Sequence, residues 1–139
     1  MCIRDSLRGA DLSGADLSDA DLTNAVLHGA DLSGADLSGA DLESARLYGA
    51  DLTGADLTHA YLYGADLRDA NLYNSHLPGA NLSNANLYYA DLTGANLSNA
   101  DLTGANLDDT ELTGVNWDWA ICPDGTAAYY HGQTCVNNL

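Results

Sequence analysis

The chain is 139 residues long, and its 4 basic and 20 acidic residues give a formal charge of −16, which excludes non-specific attraction to nucleic acid phosphates or anionic lipid headgroups. A hydrophobic share of 46% comes almost entirely from Leu and Ala, with no Phe and one Met, so any core is thin and regular. No apolar run approaches the ~20 residues that span a bilayer, and membrane insertion is not expected.

The first six residues, MCIRDS, stand outside the pattern that follows and resemble the translation of a transposase adapter used in sequencing libraries. Residues 1–6 are read as a scar, with the natural N-terminus, any signal peptide and any cap expected upstream.

From Leu7 to Leu112 Leu recurs every five residues, and two places earlier, from Ala10 to Ala105, the residue is Ala except at Ser75. The unit is Ala-Asp/Asn-Leu-x-x. A period of five does not suit an α-helix, because each step of ~100° per residue turns successive leucines by ~140° around the cylinder. Nor does it suit a flat strand, whose side-chain period of 2 throws alternate leucines onto opposite faces. A short extended piece with Ala and Leu pointing the same way, closed by a corner, restores the phase. Gly or Asn at the last place, as in Gly34, Gly39, Asn84 and Gly94, suits the bends. Packing demands only Ala and Leu; the aspartates are read as outward-facing, with no structural duty.

The residue after Leu is larger at Arg8, His28, Tyr48, Arg68 and Tyr88, which are spaced by 20. A triangular coil of 15 residues would instead stack Arg8 on Thr23, Ser38 and Thr53 and erase that correlation, so four five-residue sides per coil are predicted.

The Ala-Asp/Asn-Leu-x-x run from Leu7 to about Trp117 resembles the pentapeptide repeat family. The resemblance implies an all-β fold, a right-handed quadrilateral β-helix of nearly six coils over residues 7–116, with Leu and Ala inward and the other three positions facing solvent. Some members resemble a DNA duplex in size and charge and bind type II topoisomerases, protecting or inhibiting gyrase.

Stacking by 20 yields acidic columns: Asp11, Asp31, Asp51, Asn71, Asp91 and Glu111; then Asp16, Asp36, Asp56, His76, Asn96 and Asn116; then Asp21, Asp41, Tyr61, Asn81 and Asp101. Like charges directly apposed on a sheet repel by a few tenths of a kcal/mol or more. The fourth column differs: it carries Arg8, Arg46 and Arg68 beside His28, Tyr48, Tyr88 and Tyr89, an interaction-face candidate with Tyr61, Tyr63 and Tyr73 on its flanks.

Residues 117–139 depart from the repeat, and Trp117, Trp119 and Ile121 are expected to close the open end. Cys122 and Cys135 bracket twelve residues that open with the turn-forming Pro123-Asp124-Gly125, and a disulfide between them is expected. The tail also resembles a Cys-Pro-Asp-Gly-Thr to Thr-Cys terminal module of exported bacterial repeat proteins, which implies a periplasmic or extracellular location. Ala127-Ala128-Tyr129-Tyr130 stands where that module has a more polar centre.

Catalysis is not expected. His28, His59, His76 and His131 have no nucleophile in register, and solvent-facing repeat positions offer no deep pocket. Calcium needs 6 to 8 oxygens at one place, whereas each column supplies one carboxylate per coil, so no metal and no cofactor are assigned. The reading is a non-enzymatic structural or interaction scaffold with an unknown protein partner, without direct nucleic acid binding, and with self-association through an exposed N-terminal coil. Two alternatives stand beside it: a gyrase-binding DNA mimic using Asp11, Asp31, Asp51, Asp91 and Glu111, and a weak cation binder outside the cell.

Overall fold

The computed structural model describes residues 6–128 and 135. The adapter-like Met1–Asp5 and the loop centre with Tyr129, Tyr130 and His131 lie outside the described residues. Parallel bridges join residues twenty apart, from Ser6 to Val26, Asp11 to Asp31, Asp16 to Asp36 and Asp21 to Asp41, and continue to Asp101 and Ile121. Twenty residues therefore carry the chain once around, in four sides of five. The sides starting at Asp11, Asp16 and Asp21 are the first, second and third. The side starting at Ser6 and again at Val26 is the fourth.

The core follows from the spacing of Leu and Ala. Every Leu from Leu22 to Leu107 is buried, as is every Ala from Ala25 to Ala105. Ser75, in an Ala place, is buried too, and its hydroxyl donates to the Leu72 carbonyl at 2.7 Å. In the first described coil Leu7, Leu12 and Leu17 are only partly buried.

Each corner is a tight turn. The Ala15 N–H donates to the Leu12 carbonyl at 3.0 Å, and Gly14 between them has φ 63°. A single positive φ at the third turn position is the type II signature, which favours Gly or Asn there. Bulky residues pass through the same conformation at His59 (φ 57°), Tyr89 (φ 59°) and Trp119 (φ 64°), at a cost of about 1–2 kcal/mol each.

The hydrogen-bond account of one side revises the reading of the aspartates. In the side beginning at Asp31, the Asp31 N–H donates to Ala10 and that of Leu32 to Asp51. The Gly34 N–H donates to Thr53 and that of Ala35 to Leu32. The fifth donor, the Ser33 N–H, has no backbone acceptor, and the Asp31 Oδ1 accepts it at 3.0 Å together with the Ser33 hydroxyl at 2.7 Å. Every Asp or Asn before a Leu from Asp11 to Asn106, and Asn116 before Trp117, accepts the corner N–H in this way. The aspartates thus have a structural duty, and Asp and Asn alternate freely because both offer Oδ1.

The prolines obey the same rule. Pro78 follows His76 and Pro123 follows Ile121, two units without a capping side chain, and Pro occupies the one place whose N–H the ladder leaves unused.

At the C-terminal end the register runs past the expected boundary at residue 116, since Asn116 bridges Asn96 and Ile121 bridges Asp101. Trp117 fills a core place, 4% exposed. Trp119 and Ile121 do not close the end as expected: they are 52% and 37% exposed. The reason is phase, since Trp119 falls on a corner and Ile121 on the outward place before Cys122. The chain instead reverses, with the Cys122 N–H donating to Thr126 at 2.7 Å, Ala128 to Ala120 and Trp119 to Ala128, both at 2.8 Å. Ala120, Cys122, Ala128 and Cys135 are buried there, and the two sulfurs lie at disulfide distance, 2.20 Å.

Candidate functional site

The fourth side places Arg8, His28, Tyr48, Arg68 and Tyr88 one above another, since their neighbours Ser6, Val26, Arg46, Asp66 and Asn86 are bridged in sequence. Arg68 forks onto Asp66, Nε to Oδ1 and Nη2 to Oδ2, both at 2.7 Å. Its Cζ also lies 5.8 Å from the centre of the Tyr48 ring. The His28 ring stands 6.0 Å from that ring on the opposite side, tilted by 57°. Arg68 is 46% exposed, so the ion pair contributes on the order of 1 kcal/mol or less and serves mainly to aim the guanidinium.

Arg8, His28, Tyr48 and Arg68, with Gly29 and Gly49, line a shallow open depression. Partial burial pushes the His28 imidazole below its ordinary pKa, and Arg8 beside it adds to the effect. The hydrogen bond from Arg68 holds the Asp66 carboxyl below the usual range. Farther along, Tyr88 and Tyr89 meet edge to face at 4.3 Å, and their hydrogen bond raises the Tyr88 phenol. Arg46 belongs to the bridged column beside this one and projects onto the same side; neither it nor Arg8 is in an ion pair among the described residues. Tyr61, Tyr63 and Tyr73 are exposed on the flanking sides.

The predicted acidic columns are in register: Asp11, Asp31 and Asp51 bridge one another, Asp91 bridges Glu111, and Asp16, Asp36 and Asp56 form the next column. The Oδ1 atoms of the Asp residues point back into the corners, whereas Glu111 caps none among the described residues. The Ser13, Ser18 and Thr23 hydroxyls, then the backbone N–H groups, keep Asp11, Asp16 and Asp21 below the usual carboxylate pKa, and Thr58 does so for Asp56. Among the described residues no group of three or more His, Cys, Asp or Glu is placed to hold a metal ion. His59 sits on a corner over Gly79 and His76 on the second side between Asp56 and Asn96, so these two occupy different points along the side. No described helix is long and apolar enough to cross a membrane.

One feature of the fourth side escaped the reading of side chains. Ser6, Val26 and Arg46 stand in three successive coils where most units have a capping Asp or Asn, yet Arg8, His28 and Tyr48 keep their N–H groups; elsewhere an uncapped unit without Pro stands alone in its column, as at Tyr61 and Glu111. The signal was present as a missing Asp with no Pro two residues later. It becomes meaningful only once the ladder identifies which N–H is left over.

The family described as "Pentapeptide repeats (8 copies)" matches over residues 6–43, 35–72, 65–104 and 80–116. A solved pentapeptide repeat protein from the Arabidopsis thaliana thylakoid lumen is 38% identical, with 66% of this chain and 64% of that one covered and a TM-score of 0.65. HetL, a pentapeptide repeat protein involved in heterocyst differentiation regulation in the cyanobacterium Nostoc sp. strain PCC 7120, is 34% identical. The two chains are covered over 89% and 68%, with a TM-score of 0.56. The plasmid-mediated fluoroquinolone resistance protein QnrB1 is 25% identical over 78% of this chain and 77% of its own, with a TM-score of 0.33. The chain thus spans about two thirds of the length of the first two relatives. No curated protein sequence matches significantly. The five-residue unit, the twenty-residue register and these matches agree: the chain belongs to the pentapeptide repeat family, whose fold is the quadrilateral β-helix.

Proposed function

We propose that the protein is a non-enzymatic scaffold, a right-handed rod of nearly six coils whose fourth side meets a protein partner. The observation that carries this reading is the concentration of Arg8, Arg46, Arg68, His28 and Tyr48 on one side of a chain with net charge −16. Arg and Tyr are the residue types that anchor interfaces. A photo-crosslinking residue at Tyr48, with one at Thr53 on the first side as control, tests it in an extract of the cells that make the protein. Adducts specific to Tyr48 that disappear in Arg8→Ser/Arg68→Ser are expected. Equal labelling from both positions overturns the reading.

Self-association through the Ser6–Ala25 coil belongs to the same proposal and is supported by the part-buried Leu7, Leu12 and Leu17. A single monomeric sizing profile at high concentration removes it. The buried pair of Cys122 and Cys135 supports an oxidising compartment. The acidic columns favour a second reading, a topoisomerase-binding DNA mimic, which a gyrase supercoiling assay showing neither inhibition nor protection would eliminate.

A further inference from the structure

The fourth side differs from the others in its backbone as well as its side chains. On the first three sides most corner N–H groups are taken by Asp or Asn oxygens, as Ser33 is by Asp31 and Ser38 by Asp36, or are absent, as at Pro78; Tyr63 after Tyr61 and Thr113 after Glu111 are isolated exceptions, since the corners stacked on them at Glu43, Ser83 and Thr93 are capped. On the fourth side Val26 and Arg46 offer no acceptor, and the His28 and Tyr48 N–H groups have no hydrogen-bond partner among the described residues. Two successive coils therefore present open backbone donors about 4.8 Å apart, the spacing of stacked strands. Arg8 lies one coil before His28, Arg68 one coil beyond Tyr48, and Arg46 beside Tyr48. Gly29 and Gly49 leave the adjoining corner clear: a Cβ at either would meet nothing within 4 Å.

An N–H whose counterparts at capped corners take an Asp or Asn oxygen, set here among guanidinium groups, selects a carboxylate. The depression is shallow and open, so a small anion would stay largely in water. A strip running from Arg8 to Arg68 spans three coil steps, about 14 Å, close to the reach of four residues of extended chain. A continuous polyanion such as nucleic acid would also run against the acidic first side and Asp69, whereas a peptide can space its charges to match.

We propose that the strip from Arg8 to Arg68 binds an acidic, extended segment of a partner protein. Its carboxylates take, on the His28 and Tyr48 N–H groups, the place that Asp Oδ1 takes elsewhere in the rod. The inference rests on the fourth side being the partner-contact face and adds the chemistry of the partner.

The test uses a short fluorescein-labelled peptide of alternating Asp and Ser, followed by anisotropy and by amide NMR of His28 and Tyr48. Val26→Asn is the decisive variant, because it supplies the missing cap to His28 without changing charge. Its Kd for the peptide should rise about tenfold, the usual effect of losing one hydrogen bond to a charged group, while its melting temperature holds or rises. Val26→Ala, which caps nothing, should bind as the parent does. The inference is overturned if Val26→Asn binds unchanged, if an oligonucleotide of equal charge binds more tightly, or if the peptide fails to bind. Should the peptide fail while Arg8→Ser/Arg68→Ser still abolishes crosslinking at Tyr48, the partner face stands and only its acidic specificity falls.

Discussion

The residue before each Leu is an internal hydrogen-bond acceptor first and a surface charge second. Asp31→Ala removes the oxygen that takes the Ser33 N–H and hydroxyl, and should cost about 1 kcal/mol in urea unfolding. Asp31→Asn keeps the cap and relieves repulsion from the bridged Asp11 and Asp51, so its stability should stay within about 0.5 kcal/mol of the parent or rise. Equal losses in both variants would mean that charge, not the cap, matters. Proline probes the same N–H. Thr113 follows Glu111 rather than Asp or Asn, and Thr113→Pro should stabilise by about 0.4–1 kcal/mol through the unfolded chain. Thr53→Pro deletes the N–H and the hydroxyl that donate to Asp51 Oδ1 and should destabilise by about 1 kcal/mol or more; thermal melts that rank the two alike refute the account.

At the scale of the five-residue side, corners couple to the corner twenty residues on. All corners share a positive φ, so Ala for Gly costs about 1–2 kcal/mol wherever there is room, as at Gly54, where a Cβ would touch nothing. At Gly104 the Asn84 side chain leans over from the preceding coil, and a Cβ would lie 2.6 Å from its Oδ1. Gly104→Ala should therefore cost more than Gly54→Ala, and Asn84→Gly in the same chain should remove the difference. A double-mutant cycle with no coupling between residues 84 and 104 contradicts this. The same arrangement recurs where Asp19 leans over Gly39, His59 over Gly79 and Asn74 over Gly94: a side chain in one coil uses the space that glycine leaves in the next.

For the whole molecule, charge and pH set competing trends. Asp11, Asp16, Asp21, Asp56 and Asp66 have folded-state pKa values below their ordinary values. Their contribution is therefore present above the ordinary carboxylate range and is lost as pH falls through the lowered folded values. Against this, mild acid reduces the self-repulsion of a chain at −16. The melting temperature should hold or rise from pH 7 to about pH 5 and then drop toward pH 2. A profile that rises steadily to pH 2 would show that repulsion dominates throughout. Reduction of the Cys122 and Cys135 pair should lower the melting temperature by freeing the reversed end, with at most about 3 kcal/mol involved. An unchanged melt with dithiothreitol would mean that the bridge does not hold the end.

The amino-acid sequence by itself determined the period of five, the twenty-residue coil and the Leu and Ala core, because a strict hydrophobic repeat of that length has one way to keep its phase. It also marked the side with Arg8, Arg46 and Arg68 as unlike the rest. Tertiary structure alone decided the duty of the aspartates and the outward turn of Trp119 and Ile121. It likewise decided the fork of Arg68 on Asp66 and the open N–H groups of His28 and Tyr48. The reason is that each depends on which backbone donors the neighbouring coils consume, and that account closes only when all four sides are stacked.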